Sequence, residues 1–105
     1  MKLVNLVDSL KDKAGLHALL KQEGVNMDSE YLSVYMQDSL TIDTEIEVLG
    51  IEETGEEMYL TKNEKNYIQL LPLYMVEEIA QGGMDGGYSS AEIAARILEY
   101  SINDA

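Results

Sequence analysis

Three carboxylates alternate with apolar or β-branched residues through the segment 42–48, at Asp43, Glu45 and Glu47. Side chains two positions apart in a β-strand share a face and stand about 6.6–6.8 Å apart. The alternation therefore predicts a strand with one apolar face and one acidic face. A regular line of carboxylates is suited to binding cationic groups, and it could imitate a phosphate backbone or meet a basic protein surface.

Four more acids follow at Glu52, Glu53, Glu56 and Glu57. The sequence around Gly55 is typical of a turn, so we expect these residues to carry the acidic line across a hairpin and widen it into a patch. The alternative is a solvent-facing sheet surface whose acids serve solubility only. A catalytic pair of carboxylates is disfavoured, because nothing in the pattern buries one acid and separates its pKa from that of another.

Tyrosine supplies every aromatic ring of the chain, with seven Tyr and no Phe or Trp. Tyrosine is common at interface centres because it offers rigid, amphipathic contact area. We expect Tyr31, Tyr35 and Tyr59, which lie within or beside the acidic stretch, to contact a partner. Three other rings are expected at the edge of the core, at Tyr67, Tyr74 and Tyr100.

Other chemistry lacks support in the sequence. Cysteine is absent, which excludes a cysteine nucleophile and a thiolate metal site, and His17 is the only histidine. No G-x-S-x-G, dinucleotide-binding or Walker phosphate-loop motif occurs. We therefore predict no catalytic, cofactor or metal site, and a protein that is not an enzyme. The lack of cysteine also favours a reducing, cytoplasmic location.

The charge of the chain is strongly negative and unevenly distributed. Twenty Asp and Glu stand against seven Lys and Arg, for a net charge of −13, and the segment 23–60 holds eleven acids and no base. Nucleic acids and anionic membranes attract Lys and Arg, so this balance argues against direct binding to either. The 46% of hydrophobic residues nevertheless provides enough apolar material for a packed core.

Helices and strands are predicted from the apolar spacing. The i, i+3, i+4 pattern predicts a first helix over about 2–13 and, after Gly15, a break or a second short helix to Glu23. Period-two alternation predicts a strand over 31–36, and the alternative is a short helix capped by Asp28 or Ser29. The segments 42–48, 58–60 and 67–70 are expected to form a three-stranded antiparallel meander.

Two helices are predicted after the sheet. Pro72 suits the first turn of one helix, which we expect to stop at the glycines 82–83 before a mobile glycine-rich loop over 82–87. Ser89 and Glu92 have the spacing of a capping box that opens a last helix through Ser101.

Together these elements predict a single α+β domain over 1–105. It would have N-terminal helices, a three- to four-stranded antiparallel sheet and two C-terminal helices. The function we expect is a small acidic binding protein that occludes a basic partner, such as a nuclease or another nucleic-acid-binding protein, as an inhibitor, immunity protein or DNA mimic. The alternative is a structural or assembly subunit that forms a homodimer or larger homo-oligomer.

Overall fold

The computed structural model describes residues 1–104, apart from the side chains of Lys13 and Asp104. It confirms the α+β class, with two helices before a four-stranded antiparallel sheet and two helices after it. The element order is α1 (Leu3–Ser9), α2 (Lys13–Gln22), β1 (Leu32–Gln37), β2 (Ile46–Gly50), α3 (Ile51–Thr54), β3 (Tyr59–Lys62), β4 (Lys65–Pro72), α4 (Leu73–Asp85) and α5 (Ser90–Asp104).

The sheet has the strand order β2-β1-β4-β3. The predicted meander is therefore wrong in placing the segments 42–48 and 58–60 side by side. Strands β2 and β3 do not pair with each other but form opposite edges, with β1 and β4 between them. Strand β1 takes a central place because it is apolar on both faces, with Val34, Tyr35 and Met36 all buried. Only β3 and β4 form a tight hairpin, and its two-residue turn at Asn63 and Glu64 has positive φ angles of 53° and 66°.

One face of the sheet packs against the helices. Val34 and Met36 from β1 contribute to a core that also includes residues of α1, α4 and α5. Helices α4 and α5 approach very closely at Gly83, where a Cβ atom would lie 2.6 Å from Cγ1 of Ile93. The expectation that the helix stops at 82–83 is therefore wrong, because these glycines lie inside α4, which runs to Asp85.

The two N-terminal helices divide at a different place from the one predicted. Helix α1 ends at Ser9, and the carboxylate of Asp12 accepts a hydrogen bond from the backbone N–H of Ala14 (3.0 Å) to begin α2. The capping box of α5 is confirmed, with reciprocal 3.2 Å bonds between Ser89 and Glu92. Within residues 1–104, no helix combines the length and apolar character needed to cross a bilayer.

The opposite face of the sheet carries a second, smaller cluster made of Tyr35, Leu49 and Tyr67. The connection from β2 to β3 crosses this face, since it must join the two edges of the sheet. The hydroxyl of Tyr35 donates a hydrogen bond to the backbone carbonyl of Glu57 in that connection. The crossing segment 51–58 contains the second acidic group, which consists of Glu52, Glu53, Glu56 and Glu57.

Candidate functional site

The candidate site begins where the chain leaves the sheet at the end of β2 and enters α3. The backbone N–H of Ile51 donates to the carbonyl of Tyr31 (2.9 Å), which ties α3 to the residue just before β1. The hydroxyl of Ser29 donates to the carboxylate of Glu52 (2.6 Å), and this bond lowers the pKa of Glu52. Position 50 must be a glycine for this contact, because a Cβ there would lie 2.6 Å from the Ser29 hydroxyl.

Four exposed carboxylates line the segment that starts at α3, and we call them the acidic rim: Glu52, Glu53, Glu56 and Glu57. One cation reaches them, since the Lys62 ammonium lies 3.1 Å from the carboxylate of Glu53. That pair is more than a third exposed, so its attraction is largely screened by water. The acidic rim therefore keeps a concentrated negative charge on the surface.

The direction of the acidic rim is set by two successive left-handed residues. Gly55 ends α3 with a φ of 60°, and Glu56 follows with a φ of 64°, which is unfavourable for a residue with a side chain. The buried hydroxyl of Thr54 compensates in part by accepting a hydrogen bond from the Glu56 N–H (3.2 Å). The chain thereby turns toward β3 and leaves the Glu56 and Glu57 side chains in solvent.

An open groove of about 600 Å³ lies beside the acidic rim. We call it the tyrosine groove. It runs along β4 where the shorter β3 begins, and the end of α5 forms another part of its wall. Ser33 and Gln69 supply polar groups, joined by a 3.3 Å hydrogen bond between their side chains. The remaining wall is mainly apolar and aromatic, and its members include Tyr31, Met58, Tyr59, Met75, Tyr100 and Ile102.

Aromatic rings continue from the groove onto the neighbouring surface. Tyr31 meets Tyr74 edge to face, with ring centroids 6.3 Å apart. Tyr59 is 67% exposed and Tyr74 53% exposed, so both rings are available for contact. Burial raises the pKa of Tyr31, and so do Tyr74 and the carboxylate of Glu56. The Glu56 carboxylate therefore makes the electrostatic potential around Tyr31 unfavourable for a further negative charge.

The first acidic group, which consists of Asp43, Glu45 and Glu47, does not form the predicted line. Strand β2 begins only at Ile46, because the chain reverses at 41–44, where the Thr44 N–H donates to the Thr41 carbonyl (3.3 Å). Asp43 therefore lies in a turn. Glu45 pairs with the amino group of Met1 (2.7 Å), which lowers the Glu45 pKa, and Glu47 lies 3.9 Å from the Lys62 ammonium.

The ten residues predicted to contact a partner are thus divided by the structure. Tyr31, Tyr59 and Glu56 line one groove. Of the other rim acids, Glu52 bonds to Ser29, Glu53 shares the Lys62 ammonium with Glu47, and Glu57 lines a neighbouring depression beside β3. Asp43 and Glu45 precede the start of β2. Tyr35 is fully buried, so the expected contact of this ring with a partner is wrong. Its ring is covered because the segment 51–58 crosses the face on which it lies.

Three exposed residues of this surface were missed by sequence reasoning: Met58, Tyr74 and Ile102. Tyr74 was expected at the core edge, but it lies off the stripe of α4 formed by Leu73, Val76 and Ala80. Helical spacing alone would have placed Tyr74 outside. No comparable signal exists for Met58 and Ile102, because their neighbourhood is created by the tertiary structure.

Comparison with protein-family models, with curated proteins and with solved structures finds no match to this chain.

Proposed function

We propose that this protein binds a basic protein through the acidic rim and the tyrosine groove. The observation that carries the proposal is a run of four exposed carboxylates within six residues of chain, of which Glu56 lines a groove together with exposed aromatic and methionine side chains. Interfaces commonly combine a central group of Tyr and Met contacts with a polar edge. The groove and the acidic rim have this arrangement.

The proposed mechanism is occlusion of a cationic surface. The partner would be a nuclease or another protein that uses Lys and Arg to hold nucleic acid, and the chain would act as its inhibitor, immunity protein or DNA mimic. The net charge of −13 accelerates encounter with such a partner, and the acceleration fades as salt screens it. Specificity would come from the groove, because charge alone does not select one basic protein.

Self-association through the same surface is the second candidate. The exposed side chains of Met58, Tyr59, Tyr74 and Ile102 favour it. A symmetric dimer through this surface would bring two acidic rims together, and like charges facing each other oppose association. A basic partner relieves that repulsion, so it is the better candidate.

Affinity capture with matched charge variants tests the proposal. The wild type and the E52Q/E53Q/E56Q/E57Q variant are immobilised, and D43N/E64Q/E78Q/D85N serves as a control with the same change in net charge. We expect wild type and control to retain a basic protein at low ionic strength, and the acidic-rim variant to lose it. A partner held equally by all three, at low and high salt alike, would remove both the surface and the electrostatic mechanism.

A further inference from the structure

The tyrosine groove has a chemical character distinct from that of the acidic rim. Among the described residues that line it, Glu56 is the only charged one. Its volume of about 600 Å³ falls within the usual range for sites that hold small ligands or single side chains with their flanking residues. An occupant must therefore satisfy an apolar wall and one carboxylate at the same time.

The wall offers two kinds of contact to such an occupant. Met58 and Met75 present flexible thioether chains that adapt to an extended aliphatic stem. Tyr31, Tyr59 and Tyr100 also line the groove, and the face of a tyrosine ring attracts a cation. An arginine side chain combines an apolar stem with a planar cationic head that can pair with a carboxylate, so it matches the apolar wall, the rings and Glu56.

From this complementarity we propose that the groove receives an arginine side chain of the basic partner, with its stem along Met58 and Met75 and its guanidinium directed to Glu56. Arginine fits better than lysine because its planar head stacks on tyrosine and can bind a carboxylate through two N–H groups. The inference rests on the proposed function and specifies the side chain that the partner inserts.

Glu56 is well placed for this role. It follows Gly55 in the left-handed conformation, and its carboxylate is near enough to Tyr31 to influence the ionisation of that ring. The one ion pair shown for the acidic rim, with Lys62, is made by Glu53. An incoming guanidinium would thus meet Glu56 without first displacing a cation shown bound to it.

The test is an NMR titration with short peptides. Acetyl-Gly-Arg-Gly amide is added to the labelled protein, and the peptide with citrulline in place of arginine is the matched neutral control. We expect a dissociation constant of about 1–10 mM for the arginine peptide, with shifts at Tyr31, Tyr59 and Ile102. The citrulline peptide should bind about five- to tenfold more weakly, and the lysine peptide should lie between them.

Two variants locate the binding. Glu56→Gln should reduce the affinity for the arginine peptide to that for the citrulline peptide. Glu64→Gln, in the β3–β4 hairpin turn, should leave the affinity for the arginine peptide unchanged. Met58→Ser should remove part of the apolar wall that receives the arginine stem and weaken the peptide, and because Met58 is 54% exposed the fold should tolerate the smaller side chain. Equal affinity for arginine and citrulline, or shifts confined to Glu52 and Glu53, would overturn the inference. So would self-association that fills the groove, detected by light scattering.

The partner captured by affinity separates this inference from the proposed function. If E52Q/E53Q weakens binding of the partner while Met58→Ser does not, the acidic surface is functional and the arginine site is wrong. If neither variant alters binding of the partner, the proposed function itself fails, even where the arginine peptide enters the groove.

Discussion

The two acidic groups of the segment 43–57 look alike in the sequence and differ in the structure. Asp43 lies in a turn, Glu45 pairs with the amino group of Met1, and Glu47 shares the Lys62 ammonium with Glu53 of the acidic rim. The acidic rim instead occupies one short helix and the turn after it, beside an open groove. The difference teaches that the density of acids along a chain does not predict where charge is concentrated in space.

The position of each group relative to the sheet explains this difference. The first group lies at the start of an edge strand, where Glu45 meets the amino group of Met1 and Glu47 approaches Lys62 of β3. The second lies on a connection that leaves the sheet and crosses its second face, held by the Tyr35 hydroxyl below it. A connection that carries few apolar residues leaves its acids exposed on the outer side.

The largest expected effect concerns Tyr67, which lies beside Glu47 of the first group. Burial, and then the Glu47 carboxylate, raise the pKa of Tyr67 to about 12. The unfolded chain releases this proton near pH 10 and the folded protein only near pH 12. The free energy of unfolding should therefore fall across that interval, by up to about 2–3 kcal/mol.

Urea unfolding of wild type and Tyr67→Phe between about pH 9 and 12 measures this contribution. The stability of wild type relative to the variant should decline through the interval. Parallel curves for the two proteins would show that the folded state does not raise the pKa of Tyr67.

Association kinetics compare the two groups directly. D43N/E45Q/E47Q and E52Q/E56Q/E57Q each remove three charges, so a uniform field would predict equal effects. We expect the acidic-rim variant to slow association with the captured partner about tenfold at low salt, and the other variant less than about twofold. Stopped-flow rates at several salt concentrations measure both, and equal slowing would mean that only total charge matters.

Tyr35→Phe tests whether the acidic rim depends on its attachment to the sheet. The variant leaves the Glu57 carbonyl without the phenol hydrogen bond and should cost about 1 kcal/mol of stability. Hydrogen exchange should increase most in the segment 55–58. If exchange rises evenly over the molecule, the segment is held by other contacts and the hydroxyl does not position the acids.

The smallest effect is expected at Lys62, the cation that contacts both groups. Its ammonium lies 3.1 Å from Glu53 and 3.9 Å from Glu47, and all three side chains are at least a third exposed. Lys62→Gln should therefore cost no more than about 0.5 kcal/mol in thermal unfolding and accelerate partner association slightly. Lys65→Gln, across the same hairpin turn, is the control, and a loss several times larger would reveal a structural bridge.

Most helices and strands could be predicted from the sequence because their signals are local. Apolar spacing located both N-terminal helices and β1, and the Ser89 capping box located the start of α5. The errors arose where the local structure depends on contacts with residues that are distant in the sequence. The glycines 82–83 resemble a helix stop but permit the contact with Ile93, and the acidic alternation at 42–48 extends beyond the strand that forms.

The candidate site was predicted only in part for the same reason. Tyr31, Tyr59 and the acids of the rim were selected by residue type and nearness in sequence, and of these Tyr31, Tyr59 and Glu56 meet at the groove. Met58 lies just before β3, Met75 in α4 and Ile102 in α5, so nothing local marks these three as neighbours. The burial of Tyr35 was missed because the crossing of its face depends on strand order.

By itself the sequence determined the charge, the apolar content and the local preferences of each segment, because these are properties of the residues and their immediate neighbours. It thereby determined an acidic α+β domain. Only the tertiary structure decided which acids remain together, because β1 took the centre of the sheet and sent the segment 51–58 across its second face. Burying the apolar residues of β1 on both sides required that arrangement, and the acidic rim follows from it.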